Sequence, residues 1–337
     1  MSAISLAARL LTAALALVPI TAFITASPKG FTDSSCGEDF TFNGFCTWRL
    51  IPAAAGVQGP GNPPPSELGG QNALNYLLSK ASQSGLSFVR FFAAADNDGG
   101  LPGSALQPSP GQYNEDTFVG FDKVIAALPE YNLKASIVLI DFWKQTDGVL
   151  QYLVWCAGGT TDRSVFFNSS ACQQLYFNHV TTVLNRVNTV TGVAYKDDPN
   201  IFGWEIMNEP RCVVGPPGNV SAPASCVQAM QTFIDAAAAH IKNIDKNHLV
   251  TVGEEGFFST SGQYASANPN QVQNSGQAFE ENHRGPNIDY ASMHLWPDNW
   301  VLPSDVIWDL ASVNTWISDH EAVATALGKP LVMSEVR

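Results

Sequence analysis

Short, continuously apolar runs alternate with helical periodicity along most of the chain. Leu74, Leu77, Leu78 and Ala81 recur at helical spacing, and Gly85 supplies a C-terminal stop. Leu86 to Phe92 reads as a strand, with Arg90 near its far end. Phe118, Phe121, Val124, Ile125 and Leu128 predict the next helix, and Ala135 to Ile140 a strand that is apolar throughout. A long loop through Trp143 and Trp155 leads to a helix marked by Tyr176, Val180, Val183, Leu184 and Val187. The run Ile201 to Met207 follows. The next helix carries Phe233, Ile234, Ala237, Ile241 and Ile244, and strands are predicted over Leu249–Gly253 and Ile288–His294. Val306, Ile307, Leu310, Val313 and Ile317 mark a last helix before a strand over Leu331–Glu335. Upstream, a turn at Asn43-Gly44 within 36–50 opens the first strand, and Pro60 to Gly70 reads as a surface loop.

Strands apolar on both faces, separated by amphipathic helices, imply a parallel sheet covered by helices. Seven such units without a break in composition predict an α/β chain with a (β/α)8 barrel, the TIM barrel architecture. No glycine-rich dinucleotide or phosphate loop follows any strand, which removes the main reason to prefer a doubly wound sheet.

With 337 residues and 45% hydrophobic content the chain can bury a large core. Its formal charge of −13 argues against nucleic acid and anionic membranes as partners and fits a neutral substrate. Residues 1–26 carry one charge, Arg9, an apolar run from Leu10 to Ile24 and small residues after it, the pattern of a signal peptide. A secreted chain without stable membrane association is therefore expected, with the barrel domain over 31–337. Six cysteines then predict disulfides, by proximity Cys36–Cys46, Cys156–Cys172 and Cys212–Cys226. Sequons at Asn168 and Asn219 agree with secretion.

The apolar run Ile201 to Met207 ends in a polar corner, Asn208-Glu209-Pro210. Pro210 forbids continuation as a central strand and biases Glu209 away from helical angles. Partial burial at the mouth of a barrel would raise the pKa of Glu209 and make it a general acid; the bland reading is that it caps a loop. In barrels of this kind the site lies at the C-terminal strand ends, which here offer Arg90, Asn208, Glu209, Glu254, Glu255, His294 and Glu335. Two carboxylates from different strands, backed by Arg and His, suit glycoside hydrolysis, with Arg90 keeping the attacking carboxylate charged. Trp143, Trp155, Trp296 and Trp300 fall in the same loops and offer indole faces for sugar rings. No His-Glu-x-x-His, paired-Cys or Gly-x-Ser-x-Gly motif occurs, so no metal or other cofactor is expected.

From about Phe42 to Glu335 these residues resemble glycoside hydrolase family 5, and within it the plant-type endo-β-1,4-mannanases. The most specific part is Arg186 to Cys212, including Asp197-Asp198-Pro199-Asn200-Ile-Phe-Gly-Trp-Glu-Ile-Met-Asn-Glu-Pro-Arg-Cys212. Val252-Gly-Glu-Glu-Gly-Phe257, His294-Leu-Trp-Pro-Asp-Asn-Trp300 and Lys329-Pro-Leu-Val-Met-Ser-Glu335 follow in the family's order. The resemblance implies Glu209 as acid/base, Glu335 as nucleophile, Asn208 on the hydroxyl beside the reacting carbon, Arg90 supporting the nucleophile and His294 lining the sugar site. Trp143, Trp296 and Glu255 complete the implied substrate-binding set. It implies a retaining reaction on mannan, glucomannan or galactomannan, with carboxyl groups about 5–5.5 Å apart; a monomer is the default expectation for a secreted barrel hydrolase. Three departures stand out. Trp296 replaces a tyrosine that hydrogen-bonds the nucleophile, and Ile140-Asp141-Phe142-Trp143 replaces an amide-rich strand end. The chain also ends in Glu335-Val-Arg337, so the eighth strand is expected to be missing from these residues. A β-glucanase of the same chemistry, a truncated inactive chain that binds polysaccharide, and Glu254 or Glu255 as nucleophile are the competing readings.

Overall fold

The structure is a computed structural model that describes residues 22–57, 71–94, 103–146, 148–213, 222–269, 275–300 and 309–336. It begins with a small antiparallel meander: β1 (Ile24–Ser27), β2 (Gly30–Asp33) and β3 (Asp39–Phe40), paired in that order. Parallel strands follow. β4 (Gly44–Thr47), β5 (Phe88–Phe92), β6 (Lys134–Val138), β7 (Ile201–Glu205) and β8 (Leu249–Thr251) form one sheet in sequence order. β9 (Ala291–Leu295) pairs in parallel with β10 (Leu331–Val336). Backbone bonds from Asp289 N to Val250 O (2.8 Å) and from His294 N to Glu255 O (3.1 Å) carry the wall from β8 to β9. Among the described residues β4 and β10 are its two outer strands. The seven strands run in the order predicted, as a wall of the (β/α)8 type.

β5, β7, β8 and β9 are buried at every position, because helices cover one face and side chains fill the other. The helices are α1 (Leu50–Ala54), α2 (Gln71–Gln83), α3 (Glu115–Ala127), α4 (Gly148–Cys156), α5 (Ser164–Asn168), α6 (Ser170–Asn185), α7 (Ala224–Ile244), α8 (Phe279–His283) and α9 (Leu310–Leu327). α7 shows why they dock: Met230, Phe233, Ile234, Ala237 and Ile241 make one buried stripe at helical spacing. α3 starts at Asn114, whose side chain accepts from the Asp116 and Thr117 amides, a cap worth ~1 kcal/mol. Arg186, just past α6, reaches back to Glu115 and Asp122 of α3, and the Tyr195 hydroxyl donates to Asp122 at 2.6 Å. That network anchors the segment leading into β7.

The meander closes the bottom of the barrel. Ile24, Phe31, Phe88, Phe202, Leu249 and Tyr290 form one buried cluster, with Phe31 5.0 Å from Phe202 and Phe42 stacked on Phe88 at 4.1 Å between ring centroids. Each fully buried phenylalanine there contributes about 1.5–3 kcal/mol. This floor changes the reading of residues 1–26 as a leader. Ile24 to Ala26 belong to β1, and Ile24 is only 2% exposed, because its side chain fills the floor. Residues 1–21 lie outside the described residues.

Other expectations also shift. Cys156–Cys172 and Cys212–Cys226 are bonded, with Cα separations of 5.3 and 5.9 Å. Cys36 and Cys46 are both free, against the expected bridge: Cys36 sits in the exposed turn after β2, whereas the Cys46 thiol on β4 faces Arg90. The long loop through Trp155 folds into α4 and α5, which the disulfide to Cys172 ties to α6. Val187 lies beyond α6 and is exposed. Pro60 to Gly70, Asn219, Val306 and Ile307 lie outside the described residues. No helix among the described residues is long and apolar enough to cross a membrane.

Candidate active site

Past β7 the backbone stays hydrogen-bonded to its two neighbours for four more residues. Asn208 N donates to Ile140 O at 2.8 Å on the β6 side, and Glu209 N donates to Gly253 O at 2.8 Å on the β8 side. The two side chains therefore leave the backbone in different directions. Pro210 removes the ordinary helical basin for Glu209, which takes a φ of 50°, one of two non-glycine residues with positive φ among the described residues. Gly253 opposite has a φ of 87°, and a Cβ there would lie 2.6 Å from Met207 O.

Arg90 is 3% exposed and organises the centre. Its Nε donates to Glu205 Oε2 at 2.8 Å, its Nη2 to Asn208 Oδ1 at 2.9 Å, and its Nη1 to the Glu335 carboxylate. Glu205, wholly buried, also accepts from Ser136 Oγ at 2.7 Å. A guanidinium has donors in a fixed fork, so one side chain orients three acceptors at once. Glu335, on β10, further accepts from Trp296 Nε1 at 3.1 Å, so the indole fills the role its position called for.

Glu209 accepts from His294 Nδ1 at 2.6 Å and from the Trp143 indole N–H. Its carboxyl lies below the usual carboxylate range, against the expectation of a raised value. Burial does push it up, but the hydrogen bond and charge of His294, the Arg211 charge and the Trp143 donor outweigh burial. His294 moves the opposite way: burial pushes it down, and the charges of Glu335 and Glu209 carry it above the ordinary histidine value. Ligating atoms of Glu209, His294 and Glu335 lie within 4.8 Å of one another.

Around this centre Arg211, unnoticed in the sequence, pairs with Glu255 (Nε to Oε2, 2.7 Å) and lies 5.1 Å over the Trp143 ring. Gln277 Nε2 donates to the same Glu255 oxygen at 3.1 Å. Glu255 is pushed up to about 7, burial raising it and Arg211 opposing. Asp141, 3% exposed, accepts from Asn208 Nδ2 at 2.9 Å and is pushed up to about 7, chiefly by burial. The cleft holding these groups has a volume of about 1340 Å³ and runs from Trp143 and Trp296 at its mouth down to Phe42 and Phe202 on the floor.

All eight residues singled out as catalytic or substrate-binding, Arg90, Trp143, Asn208, Glu209, Glu255, His294, Trp296 and Glu335, thus meet in one place. Others do not. Glu254 turns away from the cleft toward His283, 3.3 Å from its Nδ1. Trp155 packs on Tyr152 of α4, with ring centroids 5.2 Å apart. Trp300 touches the cleft but is 2% exposed, wedged against Phe257 and Trp316. Glu205 escaped notice although a lone carboxylate inside an apolar run signals a buried charge in need of a partner; Arg211 lies in a loop, where nothing local flags its pairing with Glu255.

Residues 64–337 match the family model described as GH family 5 beta-mannosidase-like. Mannan endo-1,4-beta-mannosidase 1 of Oryza sativa subsp. japonica is 38% identical over 305 residues, covering 89% of this chain and 65% of that protein. Mannan endo-1,4-beta-mannosidase 1 of Arabidopsis thaliana is 34% identical over 303 residues, covering 89% and 68%. The chain spans 61–66% of the length of the first three curated relatives it matches. Among solved structures, the endo-1,4-beta-mannanase from Rhizomucor miehei aligns with a TM-score of 0.76 at 29% identity, covering 93% of this chain and 82% of that one. A barrel of this order, two carboxylates facing across its mouth and a family match over most of the chain lead to one assignment: the protein belongs to glycoside hydrolase family 5, in its β-mannosidase-like group.

Proposed function

We propose that the chain is a secreted, retaining endo-β-1,4-mannanase with Glu335 as nucleophile and Glu209 as acid/base. The observation that carries this reading is the short gap between the two carboxylates, with Glu209, His294 and Glu335 atoms within 4.8 Å. Retaining enzymes need carboxyl groups about 5–5.5 Å apart, whereas inverting ones leave about 6.5–9.5 Å for a water.

In the first step a Glu335 oxygen attacks the sugar carbon, the glycosidic bond breaks, and its electron pair goes to the leaving oxygen. That oxygen takes the proton from Glu209. Arg90 and Trp296 hold the attacking carboxylate in place from two sides. The proton on Glu209 comes from His294 Nδ1, because the two side chains share one proton across a 2.6 Å hydrogen bond. In the second step Glu209, now a carboxylate, takes a proton from water, which displaces Glu335 and leaves the anomeric configuration unchanged. Asn208, held between Arg90 and Asp141, is placed to bind the hydroxyl beside the reacting carbon. The expected leader and the exposed Asn168 sequon at the end of α5 support secretion.

The test is reducing-sugar release from mannan and from cellulose, with Glu335→Gln and Glu209→Gln alongside. Hydrolysis of mannan, lost in both variants, supports the assignment. Cleavage of cellulose alone would make the chain a β-glucanase, and a folded protein silent on both would refute the enzyme reading. Full activity in Glu335→Gln would move the nucleophile to Glu255.

A further inference from the structure

Asn208 sits between two charged groups that differ in what they can do. Arg90 only donates, so Nη2 at 2.9 Å faces the amide oxygen; Asp141 Oδ1, which also accepts from Trp143 N, faces the amide nitrogen at 2.9 Å and stays an acceptor whether or not Oδ2 carries a proton. Each contact uses one lone pair or one N–H, which leaves one of each for a ligand. We infer that Asp141 is a positioning residue that fixes which end of the Asn208 amide faces the sugar and thereby sets how strongly the hydroxyl beside the reacting carbon is read.

Asp141 is itself held from several sides. Trp143 N donates to its Oδ1 at 3.1 Å and Thr146 Oγ1 to its Oδ2 at 3.2 Å. Its backbone oxygen accepts from Val149 N at 2.9 Å. Gly148 has a φ of 35°, and a Cβ there would fall 2.0 Å from that oxygen, so this approach requires glycine. Three donors converge on the carboxylate, and the charged groups that act on it are Glu209 from the end of β7 and Arg163 beside α5. A neutral amide at this position could present either end to Asn208 and would leave its orientation to Arg90 alone. The same turn carries Trp143, whose indole donates to Glu209, so one short segment positions groups on both sides of the reacting bond.

This inference rests on the reading of Asn208 as the hydroxyl-binding residue of a β-mannanase. It is tested with aryl β-1,4-mannotriosides that carry or lack the 2-hydroxyl on the ring bearing the leaving group. The wild type should favour the hydroxylated substrate by roughly 10²-fold or more in kcat/KM. Asp141→Leu should shrink that ratio at least about tenfold, leaving the rate on the deoxy substrate nearly unchanged. Asn208→Ala should shrink the ratio likewise, and the double variant should have a ratio no smaller than Asn208→Ala. Asp141→Asn keeps an acceptor and should restore part of the ratio. Equal losses on both substrates in Asp141→Leu, or multiplying effects in the double variant, would overturn the inference. Should Asp141→Leu fail to fold, Asp141→Asn with and without Asn208→Ala decides by the same ratio. A wild type inactive on both substrates would instead refute the mannanase reading, and the two failures are thus told apart.

Discussion

Replacing His294 by Gln tests the proton-sharing argument at its centre. His294 is fully buried, and its Nδ1 lies 2.6 Å from Glu209 Oε1. Burial works against a charged imidazole, yet Glu335, 3.7 Å away, and Glu209 together raise His294 above the ordinary histidine value. The active form needs one proton on the pair and a charged Glu335. In the wild type the pair holds that proton more tightly than an isolated imidazole would, so the alkaline limb of kcat/KM belongs to the pair. In the variant the proton resides on Glu209 alone, where burial raises and Arg211 and Trp143 lower its affinity. A charge-assisted hydrogen bond of ~1.5–3 kcal/mol, at 1.36 kcal/mol per pH unit, corresponds to roughly one to two pH units. The alkaline limb should move toward acid by that amount. The assay is kcat/KM on a soluble manno-oligosaccharide across the pH range, with circular dichroism confirming the fold at each point. A limb that stays put, or moves toward alkali, would refute proton sharing between His294 and Glu209.

Three further outcomes follow from the same geometry. Glu205→Gln breaks a buried ion pair with Arg90 (2.8 Å) and should cost about 3–5 kcal/mol in urea unfolding, with a smaller cost once Arg90 is Met; a loss under about 1 kcal/mol would show that the pair does not hold the barrel centre. Gly253→Ala puts a Cβ 2.6 Å from Met207 O at a φ of 87°, and should lose about 1–3 kcal/mol of stability along with activity, read from thermal melts and mannan hydrolysis. His179 is pushed down to about 4 by burial, whereas the unfolded chain titrates near 6.5, so the unfolded state holds the extra proton between those values. Stability from His179 is therefore complete above ~6.5 and lost, by up to about 3 kcal/mol, as pH falls to ~4. Parallel urea-midpoint curves for wild type and His179→Gln across that window would contradict this.

The barrel strands were legible because burial on both faces leaves a simple mark, a run with no polar alternation, and the helices between them kept a single stripe. The strand ends were legible for a related reason: a charged residue closing an apolar run is conspicuous. What escaped was set by distant contacts. The leader's apolar run continues without a break into Ile24, so nothing local separates it from a strand whose partner, β2, lies beyond a turn. Chain proximity paired Cys36 with Cys46, but β4 points Cys46 inward to Arg90. Glu254 and Glu255 are adjacent and equally charged, and only the distant partners, His283 for one and Arg211 for the other, separate them. The pKa of Glu209 was misjudged because burial can be read from neighbours in sequence, whereas the opposing donors come from β9 and from the turn after β6.

The left-handed backbone at Glu209 has an evolutionary consequence. A side chain at φ 50° costs of order 1–2 kcal/mol relative to glycine. The hydrogen bonds from His294 and Trp143 offset that cost, because they outweigh burial in holding the carboxylate charged. Glu209→Gly would relax the backbone but leave a buried imidazole and an indole N–H without their acceptor. Drift to glycine at this corner is therefore opposed by the packing of the site as well as by selection for turnover.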